Sequence, residues 1–130
     1  MQTEPKQQNP LTLAFMGDGV YEVYIRKLVI DKGTIQGADR LHKSAVHYVC
    51  AAAQAQALHG MLEEGFLSEE EEALARRAHN HKIATRPKNT DPMTYKWATA
   101  FEALIGFLYL DGRRERMEEV ISRAIEIIEG

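Results

Sequence analysis

Residues 11–25 read LTLAFMGDGVYEVYI, and the fold turns on how this stretch is wound. As a helix of 3.6 residues per turn it places Asp18 on one face with Leu11, Ala14, Phe15, Tyr21 and Ile25, a stripe expected to turn inward. A carboxylate among such neighbours is costly, so it must take up a proton or find a cation. Gly17 and Gly19 flank it; both weaken the helix but let another backbone or a hydrated ion come close.

The same anomaly recurs in residues 97–110, WATAFEALIGFLYL, where only Thr99 and Glu102 interrupt a run of apolar and small side chains. Tyr95, Ala98, Thr99, Ile105, Gly106 and Tyr109 share the face of Glu102. If the two helices pack by these faces, the acids form an oxygen-ligand site for a hard divalent cation such as magnesium, which favours one or two carboxylates and completes its shell with water.

The remaining chain reads as helices around this pair. Asn9 is a good N-cap and Pro10 suits a first helical position, so the first helix should run from there to about Asp31, with Gly33 to stop it. Residues 1–9 are polar and expected to fray, leaving 10–130 as one domain. From Ala38 a single long helix is expected through LHKSAVHYVCAAAQAQALHGML, packing by Leu41, Ala45, Tyr48, Ala52 and Ala55. Ser68 with Glu71 fits a capping box, which explains the acidic run Glu69 to Glu72 without a metal. That helix fades near His81 into a loop over residues 83–92; Pro92 opens the Glu102 helix, which ends at Asp111-Gly112, and a last amphipathic helix spans Arg114 to Glu129. Nothing alternates like a strand for long enough to build a sheet, so the class is all-α.

A chain of 130 residues, 45% hydrophobic, suits one domain. It has no apolar run of membrane-spanning length, and its opening MQTEPKQQN lacks the profile of a signal peptide; a cytoplasmic protein without a membrane partner is expected. The single cysteine, Cys50, is expected as a small packed residue rather than a nucleophile. A net charge of −3 argues against a general nucleic-acid binder, yet residues 76–96 carry a local +5. Arg76, Arg77, Lys82, Arg86 and Lys88 suit phosphate contacts, and Asn80, Thr85 and Asn89 could donate to phosphates or 2′-hydroxyls; a merely solvated loop is the alternative. His79-Asn80-His81 spells HNH without the context of those nucleases, and the absence of Glu-x-x-His removes a di-iron bundle.

FMGDGVYE (residues 15–22) resembles the signature helix of the ribonuclease III family, and FEALIGFLYL (residues 101–110) resembles that family's second acidic helix. PKNTD (residues 87–91), followed by Tyr95, is similar to the Mini-ribonuclease III branch, the short bacterial form without a double-stranded-RNA-binding domain. The resemblance runs from about Pro10 to the C-terminus. It implies a dimeric ribonuclease III-like helical fold that hydrolyses both strands of duplex RNA with magnesium, or manganese in its place. Asp18 and Glu102 would be the catalytic metal ligands and the basic strip the RNA contact. By the same likeness the substrate would be precursor large-subunit (23S) ribosomal RNA, with a ribosomal protein as a candidate further partner. Phe101, Phe107, Tyr109 and Leu110 are expected to supply apolar surface to the dimer.

There are departures. The family's acids seven and four residues before the signature Asp are Leu11 and Ala14 here, and the Asp three residues before the second Glu is Thr99. Glu22 either replaces a missing acid or pairs on the surface with Arg26. The thinning leaves a second reading open: a non-catalytic ribonuclease III-like dimer that binds structured RNA.

Overall fold

A helix apolar on every side belongs in the centre of a bundle, and Pro92–Leu110 takes that place. From Ala98 to Leu108 every residue but Glu102 is buried. The computed structural model describes residues 4–33, 37–82 and 88–130; Thr85 and Arg86 lie outside the described residues. Its helices are α1 (Pro10–Asp31), α2 (Ala38–Val49), α3 (Ala51–Glu63), α4 (Glu69–Asn80), α5 (Pro92–Leu110) and α6 (Arg114–Glu129), and the fold is all-helical. Helices α1, α3, α4 and α6 surround α5, while α2 packs against α1 and α3.

The expected helix boundaries hold for α1, α4, α5 and α6, and their caps explain why. Asn9 accepts from the Leu11 amide at 2.7 Å, with Pro10 at the first helical position. Ser68 and Glu71 form both halves of the capping box, and Asp91 caps α5 through the Thr94 amide at 3.0 Å. Glu71 does more than cap. Only 2% exposed, it receives Arg116 through two 2.8 Å bonds, while Arg116 also donates to the Phe66 carbonyl at 2.7 Å. Burial pushes this carboxyl up; the Arg116 and Ser68 hydrogen bonds and the Arg116 charge outweigh it and hold the group below its ordinary range.

Three expectations need correction. The segment before α1 is not wholly frayed: Pro5–Gln7 form a 3-10 turn against α5. The long helix from Ala38 is two helices, broken at Cys50, whose backbone is extended (φ −66°, ψ 156°). The carbonyls at the broken end find side-chain donors instead: Tyr21 Oη donates to Tyr48 O at 3.1 Å and Gln54 Nε2 to Val49 O at 3.1 Å. The break rotates the packing face, so Ala53 and Ala57 are buried where Ala52 was expected, and Cys50 itself is exposed. Phe101 and Phe107 belong to the core, at 0% and 1% exposure, the former edge-on to Tyr21 with centroids 4.9 Å apart; of the four expected at a dimer surface, only Tyr109 and Leu110 are exposed.

The crossing of α1 and α5 sets everything that follows. A Cβ on Gly17 would lie 1.7 Å from the Glu102 carbonyl oxygen, and one on Gly106 would lie 1.9 Å from the Leu13 carbonyl oxygen. Backbone meets backbone here. Only glycine at both positions permits it.

Candidate active site

Gly17 touches the backbone of Glu102, so the next residue along α1, Asp18, is delivered beside the Glu102 side chain. The inward stripe of α1 is the expected one at Ala14, Tyr21 and Ile25 only. Leu13, Ala14, Gly17, Val20, Tyr21, Ile25 and Val29 are buried, whereas Leu11, Phe15 and Asp18 are exposed. The glycine crossing turns Gly17, rather than Asp18, into α5. Asp18 therefore sits at the lip of the interface and Glu102 half-buried beneath it.

The two carboxyls lie within hydrogen-bonding range, and Glu102 is pushed up to about 8, first by burial and then by the negative charge and hydrogen bond of Asp18. Glu22, one turn beyond Asp18 on α1, raises it further, and the Gln54 amide opposes, its Nε2 standing 3.4 Å from Glu102 Oε2. Glu22 also takes the surface pairing, with Arg26 Nη2 at 3.4 Å. Among the described residues no lysine or arginine forms an ion pair with Asp18 or Glu102. The donors are all oxygen, the pair is short of positive charge, and one member is open to solvent, which fits a hard divalent cation that keeps most of its water. No group of three or more His, Cys, Asp and Glu side chains suited to a metal occurs among the described residues.

Gln54 was not foreseen. It is a polar residue in an alanine-rich run, 2% exposed, on the first turn of α3. The available signal was that polarity among alanines; with α2 and α3 read as one helix, its face could not be placed.

The basic strip divides. Arg76, Arg77 and Asn80 lie on the last turns of α4, while Lys82, Lys88 and Asn89 flank the segment leading into α5; all six are exposed. Arg76 stands 3.9 Å from Glu72, Arg77 donates to the Gln8 carbonyl at 3.4 Å, and Asn80 Oδ1 lies 3.0 Å from His79 Nδ1. The structure thus brings Asp18 and Glu102 together from α1 and α5, with the strip on the other elements that lead to α5.

Two acids delivered by a glycine crossing inside an all-helical bundle define the class. The ribonuclease III domain family matches residues 11–113, and the chain belongs to the ribonuclease III family, whose members are endoribonucleases. Within that family it falls in the Mini-ribonuclease III branch. It is similar to Mini-ribonuclease 3 of Enterococcus faecalis, 45% identical over 121 residues (93% of this chain, 91% of that one), and of Brevibacillus brevis, 44% identical over 127 residues (98% and 92%). An X-ray crystal structure of a Fusobacterium nucleatum protein superposes with a TM-score of 0.81 at 31% identity, covering 96% of this chain and 98% of that one.

Proposed function

We propose that this chain is a homodimeric, magnesium-dependent endoribonuclease that cuts double-stranded RNA in the precursor of large-subunit (23S) ribosomal RNA, in the cytoplasm. The observation that carries the reading is the Asp18–Glu102 pair set side by side by the glycine crossing of α1 and α5, where burial first and the neighbouring acid second push the Glu102 carboxyl up to about 8. Asp18 and Glu102 would hold a magnesium or manganese ion, which when bound supplies an activated water and offsets charge on the scissile phosphate. Asp18 would contribute an oxygen ligand from the solvent side, and Glu102, in its deprotonated form, would contribute the second from the half-buried side. Lys82, Lys88 and the α4 arginines position the duplex by its phosphates without reading sequence. Asn80 and Asn89 add hydrogen bonds to phosphates or 2′-hydroxyls, and Thr85 and Arg86 belong to the same proposed contact. A ribosomal protein that presents the precursor is part of this proposal. No helix among the described residues is long and apolar enough to cross a membrane.

The surface proposed for a second copy is on α1, where Leu11, Phe15, Val23 and Ile30 are exposed, Phe15 to 83%. Two copies related by a two-fold axis would each cut one strand.

The test is an incubation of duplex RNA with purified protein. Cleavage is expected with magnesium or manganese and lost with Asp18→Asn or Glu102→Gln; wild-type cleavage in excess chelator would exclude the mechanism. The second reading, a non-catalytic dimer that binds structured RNA, is favoured by Leu11, Ala14 and Thr99 standing where the family has acids. It predicts binding without cleavage under any metal. Under either reading Lys82→Ala and Lys88→Ala should each weaken duplex binding and lower the slope of log affinity against log salt by about one. An unchanged slope in a filter-binding titration would remove the strip from the RNA contact.

A further inference from the structure

The break between α2 and α3 places one buried amide between a fixed backbone acceptor and the acid pair. Val49 is the last residue of α2, so its carbonyl has lost its helical partner; Gln54 Nε2 donates to it at 3.1 Å. The same nitrogen stands 3.4 Å from Glu102 Oε2. Gln54 is 2% exposed, so its side chain is confined, and its second partner belongs to the central helix. A chain is thus closed from the α2 terminus through Gln54 and Glu102 to Asp18 on α1.

We propose that Gln54 is a positioning residue, whose amide holds the Glu102 carboxylate turned toward Asp18 so that the two acids present one cation site. The inference rests on reading Asp18 and Glu102 as that site. The residue type suits the task. A lysine or arginine here would neutralise Glu102 and compete with the ion, and an acid would add repulsion to a pair already short of positive charge. A neutral donor orients the carboxylate and leaves its charge for the ion. Partners of this kind, which touch a ligand rather than the metal, typically contribute 10- to 100-fold in metal affinity or activity.

The experiment uses the full chain, with free Mn2+ followed by electron paramagnetic resonance during titration at fixed pH. Gln54→Met removes both hydrogen bonds at nearly constant volume. Gln54→Asn keeps an amide at the site but draws it back by one methylene from Glu102 and Val49 alike. Both should bind Mn2+ about tenfold more weakly than wild type, with the KM for duplex RNA within about twofold and cleavage restored by excess metal. Thermal melts of both variants accompany the titration, and Gln54→Asn carries the measurement if Gln54→Met does not fold. Wild-type Mn2+ affinity in the variant or variants that fold would overturn the proposal. If Asp18→Asn and Glu102→Gln leave Mn2+ binding unchanged, the reading of the acid pair falls first, and a loss confined to the Gln54 variants is then excluded as support.

Discussion

Glu102 is the residue at which stability and the proposed metal binding oppose each other. Its carboxyl titrates near 8 in the folded protein and in the ordinary carboxylate range when unfolded, so between those values the folded state binds the extra proton. Stability without metal should therefore fall as pH rises through that window, and the penalty is complete above about 8. Glu102→Gln lacks the titration. At pH 8.5 in chelator it should be more stable than wild type by about 2 kcal/mol, and at pH 5 the two should converge. Thermal melts at both pH values check this; a Glu102→Gln protein less stable than wild type at the higher pH would contradict it. Asp18 was legible as an odd acid within a helix, but its placement was not. The 3.6-residue pattern groups it with Leu11 and Phe15, and all three are exposed, because the glycine crossing rather than the widest apolar stripe chooses which side of α1 meets α5.

At the scale of elements, caps and breakers wrote the boundaries of α1, α4, α5 and α6 into the sequence, through Asn9-Pro10, Ser68, Asp91-Pro92 and Gly112. The division of α2 from α3 was not readable. VCAAAQ contains neither glycine nor proline, and the kink is held by partners distant in sequence: Tyr21 on the Tyr48 carbonyl and Gln54 on that of Val49. The helix crossing yields the sharpest mutational expectation. Gly17→Ala and Gly106→Ala each drive a methyl group into backbone, which cannot rotate away, so the helices must separate. Each should cost about 3 kcal/mol. Gly19→Ala meets open space and should be neutral or slightly stabilising, by helix propensity alone. Urea unfolding of the three variants tests the contrast, and equal effects at Gly17 and Gly19 would refute the crossing.

Across the whole molecule, an all-helical domain was legible from the lack of strand alternation and from five helical signals, one of which the structure divides in two. Which apolar residues remain outside was not. Phe101 and Phe107 read as surplus in a list of aromatics and prove to be core, while Phe15, Val23 and Ile30 are exposed on α1. If two copies meet by those residues, a charge placed among them should separate the copies. Phe15→Glu, or Ile30→Glu further along α1, is expected to halve the mass seen by light scattering and convert double-strand cuts to single nicks. A wild-type mass of one chain would remove the dimer from the proposal.

The glycine crossing also governs how the molecule can breathe. Packed side chains can hop between rotamers, but two peptide ribbons in van der Waals contact have no such slack, so α1 and α5 should move as a single riveted piece. Amides around residues 13–17 and 102–106 should then exchange with deuterium only when the entire domain opens, and the acids inherit that stiffness from the main chain itself.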